Sequence, residues 1–232
     1  MSMRDVIKQV SPSLAEILIP TNVGLTKVGT GFAVSKGRVA SCMHVLNNIS
    51  GHRVQFWGEA QPHEAKILIY DADHDLVIFS VDSVPRLLEL GEFAQVEAGD
   101  DVLWGGFPLE IWVPSFHRGM ISFKGKLRLP PLKDDIEALQ LDGTMNRGNS
   151  GGPVIDPRDG RVVAIVSSSM GAIDEELAAL LQRQEPGGGV RIMGVDPVAG
   201  LKKIIADMDR HLQLGIGYGI SVDYMSQLLT EA

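Results

Sequence analysis

One cysteine, Cys42, stands in a chain of 232 residues, so no disulfide can form within it. A lone thiol fits a reducing compartment, and a cytoplasmic location is expected. Positive charge is also scarce. Lys and Arg number 21 against 29 Asp and Glu, for a formal net charge of −8. K-G-K-L-R and R-Q-E-P are short or mixed, so there is no clustered basic surface for a phosphate backbone and no nucleic-acid partner is expected. No apolar run reaches the length of a membrane span, and charges interrupt M-S-M-R-D-V-I-K-Q-V where a leader needs an apolar stretch. No membrane partner is expected. Internal repeats and low-complexity linkers are missing. The histidines at 52, 63 and 117 lack metal-ligand spacing and read as surface or structural, so no metal and no cofactor is expected.

What is present is a succession of short strand signals. G-F-A-V-S and R-V-A-S-C flank Lys36-Gly37 as a hairpin. R-V-Q-F-W alternates, and A-K-I-L-I-Y and D-L-V-I-F-S-V are short apolar runs rich in β-branched residues. D-V-L-W-G-G-F, G-M-I-S-F, A-L-Q-L-D, P-V-I-D and R-V-V-A-I-V-S-S-S follow. Such spacing predicts an all-β sandwich or pair of barrels rather than a parallel α/β sheet. The character changes after Gly171. Ile173, Leu177, Leu180 and Leu181 fall on one helical face, and P-G-G-G interrupts at 186–189. Asp196 reads as an N-cap with Pro197 in the first turn, opening a stripe of Val198, Leu201, Ile204, Ile205, Met208 and Leu212. D-Y-M-S-Q-L-L predicts a last helix, and Asp5 to Val10 a short first one.

The chemistry concentrates at N-R-G-N-S-G-G-P-V-I-D, residues 146–156. Gly148, Gly151 and Gly152 crowd around Ser150. Two readings are open there: a tight turn between strands, or a nucleophile whose neighbours leave backbone N–H groups bare. A serine hydroxyl needs a base, usually a carboxylate-oriented histidine, and N–H donors for the developing oxyanion. Glycine permits such donors to point inward. Gly148-Asn149-Ser150-Gly151-Gly152 also satisfies the G-x-S-x-G elbow of α/β-hydrolases. That elbow feeds a helix, whereas V-I-D is strand-like, and the only histidine after Ser150 is His211. Upstream, His44 lies in V-A-S-C-M-H-V-L-N-N and Asp75 in D-A-D-H-D-L-V-I-F-S-V. The order His, Asp, Ser on a β-rich chain is the chymotrypsin order.

With G-T-G-F-A-V-S at 29–35, C-M-H-V-L, H-D-L-V-I-F and N-R-G-N-S-G-G-P-V-I-D, the chain resembles trypsin-like serine proteases of the HtrA-like branch. G-G-F-P-L at 105–109, H-R-G-M-I-S at 117–122 and G-I-G-Y-G-I-S-V at 215–222 extend the resemblance. It covers roughly residues 5–170 and 214–230 and includes no PDZ domain. It implies one protease domain over 1–232 with two six-stranded Greek-key β-barrels. Barrel one would take about 13–90, and barrel two about 95–170 plus 214–222. A helical insertion would fill about 171–213 and a C-terminal helix about 222–230.

The resemblance further implies a serine endopeptidase acting on polypeptide through an acyl-enzyme. Ser150 would be the nucleophile, His44 the base and Asp75 its orienting carboxylate. Asp73 competes for that last role, but the family places the aspartate immediately before the apolar strand. Asp73 then reads as a turn residue, His74 as solvent-facing, and Cys42 as a small buried hydrophobe. The oxyanion hole would use the N–H groups of Gly148, Asn149 and Ser150. Thr144 and Met145 would line the specificity pocket, and Ser167, Ser168 and Ser169 would pair with substrate backbone. No acidic residue stands where Lys or Arg would be selected, so small to medium uncharged side chains are expected. The 171–213 helices are a candidate lid or homo-oligomer interface, their bland role being packing on barrel two or on one another. The rival function is a catalytically silent protease-fold scaffold that binds peptides.

Overall fold

A computed structural model describes residues 2–47, 50–108, 111–129, 132–167, 196–211 and 215–232, with side chains of the 196–211 segment described through 204. Helix α1 (Met3–Val10) starts at a reciprocal cap. The Ser2 hydroxyl accepts from the Asp5 N–H, the Asp5 carboxylate accepts from the Ser2 N–H, and the helix buries Val6 and Val10.

The runs read as strands are strands. The first sheet contains β1 (Leu14–Thr21), β2 (Gly24–Ser35), β3 (Arg38–Cys42), β4 (Arg53–Phe56), β5 (His63–Glu64), β6 (Lys66–Asp71) and β7 (Leu76–Ser80). Their order is β5-β4-β1-β2-β3-β7-β6. The Lys36-Gly37 turn joins β2 to β3 as expected, with Ser35 opposite Arg38. Sheet one has seven strands rather than six because β5 adds two residues beside β4. Between β5 and β6 the Ala65 N–H turns away to the His52 carbonyl. The second group comprises β8 (Asp101–Gly106), β9 (Ser115–Leu127), β10 (Ile136–Asp142), β11 (Pro153–Ile155), β12 (Val162–Ser167) and β13 (Ile216–Ser221). These close into a six-stranded barrel, β10-β13-β12-β11-β8-β9. The architecture is the all-β, chymotrypsin-like one.

Two apolar cores follow from the alternation. Leu14, Ile17, Phe32, Phe56 and Phe79 fill sheet one, while Trp104, Val102, Ile121, Leu139 and Val163 fill barrel two. Helix α2 (Pro197–His211) begins where Asp196 Oδ1 accepts from the N–H groups of Val198 and Ala199. Val198, Leu201 and Ile204 of its predicted apolar stripe are exposed rather than buried. The predicted helix through Ile173 and Leu181, the P-G-G-G interruption and the loop's role as lid or interface lie largely outside the described residues. Helix α3 (Val222–Glu231) closes the chain, capped by Ser221, with Val222, Met225 and Leu228 buried.

Candidate active site

The register of β3 against β7 places the first two site residues. Cys42 lies opposite Leu76, so one step beyond each strand end brings Met43 to Asp75. The Met43 N–H donates to the Asp75 carbonyl at 2.8 Å. The chain then tightens into a 3-10 turn, Met43–Leu46, which turns the His44 ring back toward Asp75. His44 Nδ1 meets Asp75 Oδ2 at 2.6 Å, and the His44 backbone N–H donates to Oδ1 at 2.8 Å. Both carboxylate oxygens are thus held by one residue. Asp75 adopts φ +56°, a left-handed conformation that Asp tolerates better than most residues. The turn before it is braced by Asp71, whose carboxylate accepts from the N–H groups of Asp73 and His74. Asp73 is accordingly an exposed turn residue. His74 departs from its solvent-facing expectation. Its ring bonds to Asp71 at 2.6 Å and stacks on Tyr224, with centroids 3.7 Å apart.

The glycines around Ser150 answer the question their density raises. Gly148 and Gly151 have φ of +97° and +84°. A Cβ on Gly151 would fall 2.2 Å from Ser41 Oγ and from the Thr30 carbonyl oxygen, and 3.0 Å from Cys42 N. Gly152 is equally close to the Gly105 carbonyl of β8. The loop therefore presses against β3, two residues from His44, and only glycine permits the approach. Backbone bonds hold it there. The Gly151 N–H donates to the Val166 carbonyl and the Val166 N–H to the Gly152 carbonyl, both at 2.8 Å. Ser150 itself is 5% exposed.

Of the expected oxyanion donors, Asn149 has its N–H engaged within the turn. Its N–H donates to the Asn146 carbonyl at 3.1 Å and closes the turn. The Gly148 N–H has no acceptor among the described residues, while its carbonyl is held by Thr30. The Asn149 carboxamide is fully buried, with neither polar atom hydrogen-bonded among the described residues. Thr144 is exposed. Met145 is buried over Gly217, with its sulfur 2.3 Å from where a Cβ there would sit. Ser167 is buried at the end of β12, opposite Tyr218. Ser168 and Ser169 lie outside the described residues.

Thr30 is the residue that pattern reading missed. Its N–H donates to the Ser150 carbonyl at 2.9 Å. Its hydroxyl donates to the Gly148 carbonyl at 2.6 Å and accepts from the Phe107 N–H at 2.8 Å. Its own carbonyl accepts from Ser41 Oγ. Every polar atom of this buried residue thus serves the serine loop or its neighbours. The signal was present in G-T-G-F, but its partners lie 77 and 118 residues away.

Beside His44 opens a cleft of about 990 Å³ lined by Met43, Leu46, His52, Lys66 and Tyr70, among others. Cys42 lies beneath the His44–Asp75 pair, and its thiol donates to the Val166 carbonyl at 3.3 Å. Burial, with the Asp75 charge nearby, pushes this thiol well above its ordinary pKa.

A family model, the trypsin-like peptidase domain, matches residues 29–165, more than half of the chain. The chain belongs to the trypsin-like peptidase family. Its curated relatives include serine protease HTRA1B of Danio rerio, 31% identical over 172 residues, covering 69% of this chain and 35% of that protein. Human serine protease HTRA4 is 30% identical over 173 residues, covering 70% of this chain and 36% of the relative. The match thus spans about a third of those relatives' length. Among solved structures, the HtrA-type protease AlgW with a tripeptide superposes with a TM-score of 0.72 at 18% identity, covering 100% of this chain and 63% of the other. The active form of the Rv3671c protease from M. tuberculosis gives 0.67 at 20% identity, covering 97% and 82%.

Proposed function

We propose that the chain is a serine endopeptidase working through His44, Asp75 and Ser150. The observation that carries this reading is the 2.6 Å contact between His44 Nδ1 and Asp75 Oδ2. A ring fixed at Nδ1 presents Nε2 on its opposite edge as the proton acceptor. Ser150 Oγ attacks the peptide carbonyl as His44 Nε2 takes its proton. The oxyanion that forms is stabilised by the N–H groups of Gly148 and Ser150. Collapse breaks the C–N bond, and His44 returns the proton to the leaving amine. Water then repeats the sequence on the acyl-enzyme. Asp75 holds the tautomer and offsets the imidazolium charge.

Small to medium uncharged side chains are the proposed preference before the scissile bond. The uncharged Met145 side chain packed over Gly217 supports it. A cleavage profile dominated by Arg or Lys would overturn that preference. The test of the activity is covalent labelling with a fluorophosphonate, read by intact mass and peptide mapping. One adduct at Ser150, lost in Ser150→Ala and His44→Ala, is expected. A wild type that binds peptide but neither cleaves it nor takes label favours the silent scaffold.

A further inference from the structure

Hydrolysis makes no use of Cys42, yet its sulfur shares a small space with two groups that hydrolysis does use. Cys42 Sγ, a ring nitrogen of His44 and a carboxylate oxygen of Asp75 lie within 4.8 Å of one another. Thiolate, imidazole and carboxylate together form a donor set suited to zinc. We propose that Cys42, His44 and Asp75 bind a thiophilic divalent cation, with Zn²⁺ the expected ion, and that its occupancy switches hydrolysis off.

The distances require little rearrangement. Zinc binds sulfur at about 2.3 Å and nitrogen or oxygen at about 2.0–2.2 Å, so tetrahedral donors sit roughly 3.3–3.6 Å apart. His44 Nδ1 and Asp75 Oδ2 must part slightly from 2.6 Å, and the sulfur must close on both. Charge also balances. The bound thiolate and carboxylate carry two negative charges, the imidazole is neutral, and the ion carries two positive charges. A neutral assembly avoids the cost of leaving a net charge buried. Binding releases the thiol proton to solvent, moves the imidazole proton from Nδ1 to Nε2, and breaks the Cys42 bond to the Val166 carbonyl. Entry is through His44, whose side chain is 36% exposed and lines the open cleft, whereas Asp75 and Cys42 are buried.

The consequence for chemistry follows from the imidazole. A neutral ring bound to metal through Nδ1 carries its one proton on Nε2. That edge can then donate but cannot accept, so no base is available to the serine. This second clause rests on the proposed endopeptidase reading, while the metal site itself does not. The bland account of Cys42, a buried thiol satisfied by one carbonyl, needs neither His44 nor Asp75 nearby.

The deciding experiment titrates the intact protein with Co²⁺ and Zn²⁺. Wild type is expected to give tetrahedral Co²⁺ visible bands together with a thiolate-to-cobalt charge-transfer band, displaced by Zn²⁺. Cys42→Ser should lose the charge-transfer band and bind Zn²⁺ at least tenfold more weakly in competition with a chelating dye. His44→Ala, which keeps the thiol, should lose the tetrahedral spectrum. No thiolate band in wild type, or equal Zn²⁺ affinity in Cys42→Ser, would overturn the site. Fluorophosphonate labelling supplies the activity arm, read as the ratio of rates with and without Zn²⁺ within each variant. Wild-type labelling should fall more than tenfold and recover with EDTA, and the ratio should return to one in Cys42→Ser. Zinc inhibition undiminished in Cys42→Ser would place the ion on His44 from the cleft side and sink the proposal. If wild type never labels, the endopeptidase reading fails while the cobalt spectrum still decides the metal.

Discussion

Thr30 concentrates in one side chain what the site asks of the fold. Among the described residues, its hydroxyl is the partner of two buried backbone groups, the Gly148 carbonyl and the Phe107 N–H. Thr30→Val keeps the shape and leaves both groups orphaned. Each orphan costs about 1–3 kcal/mol, so the urea midpoint should fall clearly. Released from its bond, the Gly148 peptide is also free to rotate, and fluorophosphonate labelling should slow by more than the loss of folded protein explains. Thr30→Ser restores the hydroxyl and should recover both. A valine variant as stable and as reactive as wild type would show that the hydroxyl holds nothing. Gly151→Ala tests the neighbouring constraint. Its Cβ would meet Ser41 Oγ and the Thr30 carbonyl at 2.2 Å in a φ that L-residues rarely adopt. The expected outcome is loss of Ser150 labelling, with soluble folded protein checked by circular dichroism.

At the scale of elements, His63 fastens the short strand β5 to its surroundings. Its Nε2 meets Glu59 at 2.6 Å, and its Nδ1 meets Asp82, just past β7. The hydrogen bond that His63 donates to Glu59, then the one it donates to Asp82, raises the His63 pKa against the opposing effect of burial. A group whose folded pKa is raised stabilises most when protonated. Its contribution is complete below the unfolded value of about 6.5 and is lost as pH climbs through the folded value. The denaturation midpoint should therefore decline as pH rises from about 6.5 through the raised folded value, and His63→Gln should flatten that decline. A variant with the wild-type pH profile would refute the assignment. Elements are also where the sequence was most readable. Alternation gave the strands, Lys36-Gly37 the hairpin, and Asp196 with Pro197 the start of α2, because each signal is local. The stripe of Val198, Leu201 and Ile204 marked the helix but not its cover, since periodicity says which residues share a face but not what covers it. The order His44, Asp75, Ser150 became legible through resemblance to a family. The Thr30 bonds and the Cys42–His44–Asp75 cluster did not, because strand register and barrel packing create them. No spacing rule spans 118 residues.

For the whole molecule, the question is what holds the two strand systems in register so that the Ser150 loop stays pressed against the end of β3. Helix α3 spans both. Its Tyr224 stacks on His74 of the first system, and the same hydroxyl accepts from the Glu137 N–H of the second. Lys27 is the second clamp. It is buried on β2, and its ammonium donates at 2.6 Å to the carbonyls of Pro108 and Ile111, in the connection between β8 and β9. Glu16 on β1 stands 3.5 Å away, and Trp112 presents its ring face at 5.3 Å. Burial lowers the Lys27 pKa and raises that of Glu16, each partly opposed by the other's charge. The pair thus serves position more than net stability, as buried ion pairs commonly do. Lys27→Met removes the donor to two carbonyls and strands a buried carboxylate, so a loss of about 3–5 kcal/mol is expected. Adding Glu16→Gln removes the stranded charge and should recover a large part of that loss. It cannot restore the tie to the β8–β9 connection, which leads into Phe107 and so to Thr30. The double variant should therefore regain stability in urea titration while its fluorophosphonate labelling stays slow. Full recovery of both would mean that Lys27 only neutralises Glu16, and that the barrels keep their register without it.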